Sequence, residues 1–190
     1  MFVANPNLAG SADGFLTARP DDVSDTGLTW RQVLEAYNER PGNPLNLLMA
    51  YRLYTRPAYG DLVNAFGAGN VYILSAGWGL IPATYLTPYY DITFSTSAPP
   101  EKHRRSTDRY DDFRLLAASD RPLVFLGGRS YLDLFCRLTD QHQGRRIVLY
   151  NSAKRPTVNG VELVRFDTPM RTNWHYGAAA ALTDGRISFG

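Results

Sequence analysis

The chain is poor in several residue types that define common protein classes. Cys136 is its only cysteine, which excludes an intrachain disulfide framework and a cysteine-rich zinc site. No apolar run approaches the roughly 18 residues that a transmembrane helix needs. The MFVANPN start lacks the basic residues and the long apolar stretch of a secretory signal. These absences predict a cytoplasmic protein that does not span a membrane.

Lysine is nearly absent as well, while arginine is abundant. Lys102 and Lys154 are the only lysines among 20 basic residues, and the formal net charge is only +2. Arginine's planar guanidinium suits bidentate contact with phosphate or carboxylate, although a codon bias toward arginine accounts for the excess equally well. A charge of +2 favours nucleic acid as a partner only if the positive groups gather on one face.

Length and apolar periodicity predict one α/β domain covering residues 1–190. Short apolar runs predict strands at 2–5, 71–75, 123–126, 147–150 and 161–166. Capping and proline signals predict helices at 29–39, from Asn43-Pro44 onward, and at 57–66, 130–140 and 173–182. Alternating strands and helices imply a mostly parallel central sheet flanked by helices.

Three irregular segments interrupt this pattern. Asn159-Gly160 predicts a hairpin turn within 154–161. A long stretch at 6–28 and a basic loop at 99–107 are expected to be mobile or functional, because long loops in compact domains usually are.

The segment 71–94 carries the densest set of candidate site residues. Its strand runs into Ser75-Ala76-Gly77-Trp78-Gly79, and ligands of open α/β sheets bind beyond the carboxyl ends of the strands. Pro88-Tyr89-Tyr90-Asp91 then sets two aromatic rings beside a carboxylate. Aromatic rings stack on bases, and a carboxylate orients water or stabilises positive charge. The alternative is a glycine turn over core aromatics.

The same segment resembles the YaaA-like superfamily. The likeness lies in LYTRPAYGDL, ILSAGWGLI and TPYYDITFS, and LGGRSY at 126–131 is similar to the family's second glycine-bearing strand-to-helix junction. It spans roughly residues 45–135 and implies an α/β core, DNA binding and a connection with modified or damaged bases. The chain departs from the family at Gly77-Trp78 and at Asn5-Pro6-Asn7, where a lysine-bearing loop is expected.

Basic residues in three places suit contact with phosphates. Lys102, Arg104 and Arg105 follow two prolines in the loop 99–107, where a solvated loop leading into a helix is the alternative. Gly128 and Arg129 lie between a strand and a helix, where amides can bind an anion, although close packing explains the glycines as well. The third place is Arg171.

Polar side chains at both ends of the chain are further candidates. Asn5, Asn7 and Asn173 carry amides that can pair with a base edge, although the first two suit turn capping equally. His175 titrates near neutrality and suits acid or base work, unless it merely accompanies aromatic residues that seal the sheet. The three histidines have no metal-ligand spacing, so no metal and no cofactor are expected.

These features together suggest a DNA glycosylase that excises bases by hydrolysis, with modified or damaged bases as candidate targets. The base must leave its stack, and a carboxylate can then stabilise the oxocarbenium-like sugar. The expected catalytic residues are Asp91, Asn5 and His175. The expected base-binding residues are Trp78, Tyr89, Tyr90, Ser75, Asn7 and Asn173. The expected phosphate-binding residues are Lys102, Arg104, Arg105, Gly128, Arg129 and Arg171.

Two other functions remain open. One is a non-catalytic DNA-binding stress or defence protein, and the other is a nucleotide (deoxy)ribosyl transferase or hydrolase. A lyase that forms a Schiff base is the less simple hypothesis, because only two lysines and the N-terminus supply an amine. DNA is expected as the partner in preference to RNA.

Overall fold

The computed structural model describes residues 19–190, which form four α-helices and eight short strands. The helices are α1 (Trp30–Glu39), α2 (Ala58–Phe66), α3 (Leu132–Leu138) and α4 (Trp174–Thr183). The strands are β1 (Leu48–Met49), β2 (Tyr72–Ser75), β3 (Gly79–Pro82), β4 (Leu86–Thr87), β5 (Phe113–Arg114), β6 (Leu123–Phe125), β7 (Arg146–Tyr150) and β8 (Glu162–Arg165). No helix within this part of the chain is both long enough and apolar enough to cross a membrane.

Local capping chemistry fixes the two N-terminal helices as the sequence predicts. Thr29 begins α1 with a capping box, in which its side chain accepts from the Gln32 backbone and the Gln32 side chain reaches back. Gly67 ends α2 at a φ of 80°, a conformation that favours glycine. The helices predicted at 29–39 and 57–66 are therefore confirmed.

The helix predicted after Asn43-Pro44 is wrong. The Asn43 side chain accepts from the Leu47 backbone N–H and donates to the Leu47 carbonyl, while its oxygen also accepts from Tyr37. Asn46 has a φ of 48°, outside the helical region. The Asn43 amide thus closes a loop instead of capping a helix, and the chain continues into the short strand β1.

The strands of residues 19–190 form three sheets. β1 pairs with β4, β2-β3-β5 form a mixed sheet, and β6-β7-β8 form a parallel sheet. The α/β class is confirmed, but a mostly parallel central sheet is not, because only β6-β7-β8 is parallel throughout. Within these residues, one compact domain contains all three sheets.

The strand order departs from the predicted parallel sheet just after the predicted strand 71–75. The chain turns at residues 76–78 and returns as β3, antiparallel to β2. Gly79 has a φ of 90°, and a Cβ there would lie 2.7 Å from the Phe113 carbonyl oxygen. The glycine spacing that suggested a ligand loop therefore serves a tight reversal in which β5 lies against the backbone.

The parallel sheet places three strand ends at one edge. β6, β7 and β8 run in the same direction, so Gly127-Gly128 after β6 and Asn151 after β7 lie at its carboxyl edge. The hairpin predicted within 154–161 is wrong, because the strands that flank this segment are parallel neighbours. The Gly160 carbonyl instead accepts a hydrogen bond from the Arg146 guanidinium at 2.8 Å.

A buried ion pair joins the loop after residue 100 to the turn after β2. Arg104 is 1% exposed and donates two hydrogen bonds to Asp112, at 2.7 and 2.8 Å. The same guanidinium donates to the Ala76 carbonyl at 2.9 Å and lies 3.9 Å from the centre of the Tyr110 ring. Asp112 also accepts from Arg137 at 2.7 Å. The expectation that Arg104 contacts phosphate is therefore corrected, because its charge is neutralised inside the protein.

Removing the acid of this pair should strongly destabilise the fold. We expect Asp112→Ala to lower the free energy of unfolding by about 3–5 kcal/mol, because the Arg104 charge stays buried without a counter-charge. Urea unfolding measures the loss. The control is Asp111→Ala, which removes an exposed acid paired with Arg31 and should change the free energy by about 1 kcal/mol or less. An equal effect of both variants would contradict the role given to Arg104.

Candidate functional site

Ser75 holds the turn after β2 and is not available to a ligand. Its side chain is fully buried, and its Oγ accepts from the backbone N–H groups of Gly77 and Trp78 at 3.1 and 2.9 Å. The Tyr90 hydroxyl is hydrogen-bonded to the same oxygen at 2.5 Å. The predicted base contact of Ser75 is therefore corrected to a role in closing the turn.

The two aromatic rings expected to stack on a base are also internal. Trp78 is 1% exposed and packs against Tyr90 and Phe113, with both ring-centre distances at 6.2 Å. Tyr90 is 6% exposed, and its ring lies against Gly77, where a Cβ would approach it to 3.0 Å. Neither face is open to a base, so this part of the prediction is wrong and the core alternative is correct.

Asp91 lies on the other face of its segment. Tyr90 and Ile92 both contact Gly77, so the residue between them projects away from Trp78. The Asp91 carboxylate is 39% exposed and accepts from the Lys102 ammonium at 2.9 Å. The predicted crevice between Asp91 and Trp78 is therefore absent, and Lys102 is partnered within the protein.

A cluster of five tyrosines gathers beside the end of β2. The Tyr54 hydroxyl is hydrogen-bonded to that of Tyr90 at 2.8 Å, and its ring stacks on Tyr59 at 4.7 Å. Tyr59 meets Tyr176 edge-on at 6.3 Å, and Tyr131 packs with Tyr54 and Tyr59 against the hydrophobic core that contains Tyr90. We call the following residues the tyrosine cluster: Tyr54, Tyr59, Tyr90, Tyr131 and Tyr176.

Four members of this cluster have raised pKa values that keep their hydroxyls protonated at neutral pH. Burial raises the pKa of Tyr90 to about 12, although its hydrogen bonds to Ser75 and Tyr54 act in the opposite direction. Burial likewise raises the pKa values of Tyr54, Tyr59 and Tyr131. The cluster therefore offers neutral phenol groups that donate hydrogen bonds and aromatic surface, and it offers no general base.

Asp91 is linked to the tyrosine cluster through its neighbours in the chain. Tyr90, directly before it, belongs to the cluster, and Phe94, three residues after it, meets Tyr131 edge-on at 4.9 Å. The Asp91 carboxylate itself is turned to Lys102. Tyr89, on the other side of Tyr90, is half-buried.

The remaining phosphate-binding candidates lie in two places. Arg105 is exposed in the loop 99–107, and its backbone N–H donates to Asp108. Gly128 and the exposed Arg129 lie at the carboxyl edge of the parallel sheet, in the turn that leads to Tyr131. Arg171 is exposed in the segment before α4. The structure thus brings Arg129 next to the tyrosine cluster but leaves Arg105 in a separate loop.

Asn173 and His175 lie at the start of α4. Asn173 is exposed with a φ of 57°, and its side chain makes no capping hydrogen bond. The His175 ring is half-buried and lies 4.2 Å from the Tyr176 ring. Burial lowers the pKa of His175, so its imidazole is neutral at neutral pH. His175 is therefore a neighbour of the tyrosine cluster through Tyr176.

A cavity of about 380 Å³ lies between the loop at 104–109 and α3. Phe94 lines it and also meets Tyr131 edge-on at 4.9 Å, so the cavity adjoins the tyrosine cluster. Its lining carries both signs of charge, with arginines at 104, 109 and 137 facing aspartates at 108 and 133. This mixture gives no strongly positive surface for a phosphate.

Two predicted site residues, Asn5 and Asn7, lie outside the described residues. Within residues 19–190, no group of three histidine, cysteine or acidic side chains is arranged to hold a metal ion.

Sequence reasoning missed the main feature of the site. Tyr54 and Tyr59 stand in the motif LYTRPAYGDL, with Arg56 between them. This motif indicates the family resemblance but does not mark the two tyrosines as site residues. The Arg56 guanidinium lies 5.5 Å from the centre of the Tyr176 ring. The signal available in the sequence was the high tyrosine content, with 12 tyrosines in 190 residues.

The chain matches no family model, no curated protein and no solved structure. The resemblance to the YaaA-like superfamily therefore remains a prediction.

The buried imidazole of His175 predicts a specific dependence of stability on pH. Its pKa in the folded protein lies below the ordinary value of 6.5, so the unfolded chain binds more protons in the interval between the two values. The stabilisation from neutral His175 is complete above pH 6.5 and is lost as the pH falls through the lower, folded value.

We therefore expect His175→Gln to reduce the gain in unfolding free energy between about pH 5 and about pH 7.5. Urea unfolding at both pH values measures this gain. His142→Gln, which changes a histidine bonded to the Arg121 carbonyl, serves as the control and should keep the larger gain. A wild-type gain in the His175 variant would show that this imidazole does not titrate differently on folding.

Proposed function

We propose that the chain hydrolyses the N-glycosidic bond of a nucleotide in DNA, with the base at the tyrosine cluster and Asp91 facing the sugar. The observation that carries the proposal is the place of Asp91 directly after Tyr90 of the cluster, with its carboxylate partly exposed and ion-paired to Lys102. This arrangement brings a carboxylate to the margin of an aromatic, hydrogen-bonding surface.

The chemical character of the cluster supports recognition of a base. A base that leaves its stack loses aromatic contact, which tyrosine rings replace. The raised pKa values keep the phenol groups protonated, so they donate to the acceptor atoms of a base without introducing charge. Four members of the cluster are only partly buried, namely Tyr54, Tyr59, Tyr131 and Tyr176.

In the proposed reaction the bond between the sugar C1′ and the base nitrogen breaks. Its electron pair leaves with the base, and the sugar develops oxocarbenium character. The Asp91 carboxylate stabilises this positive charge and accepts one proton of the water that bonds to C1′, and solvent then carries this proton to the departed base. Lys102 holds Asp91 at 2.9 Å and positions it. An ammonium engaged in this ion pair is not a free amine, which favours hydrolysis over a Schiff-base lyase.

The second candidate is DNA binding without catalysis. The observation that favours it is the same ion pair, because Lys102 already neutralises the carboxylate on which the reaction depends. Both candidates use the aromatic surface and the arginines, so only release of a base separates them.

Substitution of Asp91 tests the reaction. Incubation with oligodeoxynucleotides carrying ordinary and modified bases, and with free nucleosides and nucleotides, is followed by chromatography for released base. We expect release from an oligodeoxynucleotide and a loss of about 100-fold or more in Asp91→Asn, because the developing charge loses its carboxylate.

The matched control is Asp140→Asn, which changes another half-exposed, ion-paired acid and should retain full activity. No release from any substrate, with binding retained, would support the non-catalytic protein. Release from free nucleosides alone would support the transferase or nucleoside hydrolase. Undiminished release by Asp91→Asn would remove Asp91 from the mechanism.

A further inference from the structure

The arginines of the chain divide into those that pair with acids and those that do not. Within residues 19–190, seven arginines form ion pairs with carboxylates: Arg31, Arg104, Arg114, Arg137, Arg145, Arg165 and Arg186. The remaining arginines form no ion pair with a carboxylate in this part of the chain, and Arg56, Arg129 and Arg171 are three exposed members of that group. An unpaired, exposed guanidinium is free to bind phosphate without first breaking an internal ion pair.

These three arginines come from separate segments that meet at the tyrosine cluster. Arg56 precedes α2 and lies over the ring of Tyr176, at 5.5 Å from its centre. Arg129 begins the helical turn that contains Tyr131. Arg56 is therefore linked to the cluster by a ring contact with Tyr176. Arg129 is linked to it because it precedes Tyr131 by two residues.

Arg171 follows a residue that is held at the carboxyl edge of the parallel sheet. Asn151, directly after β7, donates from its side-chain amide to the Met170 carbonyl at 2.6 Å. This bond holds the residue before Arg171 at the edge where Gly127-Gly128 leaves β6. The segment then enters α4, which carries Tyr176. Arg129 thus lies two residues before Tyr131 at this edge, Arg171 lies between the edge and Tyr176, and Arg56 lies directly before the start of α2.

We propose that Arg56, Arg129 and Arg171 form a phosphate clamp around the tyrosine cluster, and that the substrate is a nucleotide within a polynucleotide strand. The inference rests on the proposed function for its choice of ligand. A strand supplies phosphates on both sides of the nucleotide at the cluster, whereas a free nucleotide supplies them on one side only. Arg56 is a new binding residue in this arrangement, since its ring contact with Tyr176 orients the guanidinium beside the base site.

Salt dependence measures how many phosphates the clamp contacts. The probe is a fluorescently labelled single-stranded oligodeoxynucleotide of ordinary sequence, and its Kd is measured by anisotropy over a range of salt concentrations. Each phosphate contact to a single strand contributes about 0.7 to the slope of log Kd against log salt. We expect Arg56→Gln, Arg129→Gln and Arg171→Gln each to lower this slope by about 0.7, and the triple variant by about 2.

The matched control is Arg121→Gln. Arg121 is exposed, makes no ion pair within residues 19–190, and precedes β6 at the edge of the sheet opposite Gly127-Gly128. We expect its variant to bind with the wild-type slope. Thermal unfolding verifies that each variant is folded, which is expected because none of these guanidiniums is buried.

Three results would overturn the clamp. They are a wild-type slope in the triple variant, equal affinity for a mononucleotide and the oligonucleotide, and equal affinity for heparin at the same charge concentration. An RNA strand of the same sequence reports whether the clamp distinguishes the sugar, and tighter binding of either strand than of the mononucleotide supports it.

The outcomes also separate the clamp from the proposed reaction. A salt slope that depends on the three arginines, without any base release, would support the clamp and contradict the hydrolase. Base release from the oligodeoxynucleotide with no arginine-dependent slope would support the hydrolase and contradict the clamp.

Discussion

The buried pair of Arg104 and Asp112 is the interaction on which the geometry of the site depends. Arg104 reaches from the loop 99–107 to the Ala76 carbonyl, so it fixes the turn in which Ser75 accepts two backbone N–H groups. Desolvating two charges is unfavourable unless their hydrogen bonds are well formed, and here the bonds are bidentate. The pair therefore ties the loop 99–107 both to the turn after β2 and to the residue before β5.

The polar network continues from that turn to the surface. Ser75 anchors the Tyr90 hydroxyl, which in turn holds Tyr54, and the other tyrosines pack around this pair. Burial keeps the phenol groups neutral, so the network orients hydrogen-bond donors without carrying charge. The charged groups lie at its margin, where the ion-paired Asp91 follows Tyr90 and where Arg56 and Arg129 each stand two residues from a member of the cluster. A rigid neutral centre with charge around it suits a ligand whose base is flat and whose backbone is anionic.

Local signals predicted most elements, but not how the strands pair. Thr29 begins α1 and Gly67 ends α2 as predicted, because capping interactions act within one helical turn. Asn43 failed as a cap because its side chain bonds the Leu47 backbone and Tyr37 instead. The reversal at Gly79 was missed because a glycine after a strand is equally compatible with a ligand loop and with an antiparallel return.

The sequence by itself determined the α/β class, the boundaries of α1 and α2 and the residues available for chemistry, since these follow from composition and near-neighbour contacts. The tertiary structure decided which side chains are inside. Trp78 and Arg104 look like ligand contacts in the sequence, yet packing and an internal carboxylate bury them. Tyr54 and Tyr176 are distant in the chain and become neighbours through Tyr59 because α2 packs against α4. Sequence spacing does not predict such contacts, because they depend on how whole elements pack against one another.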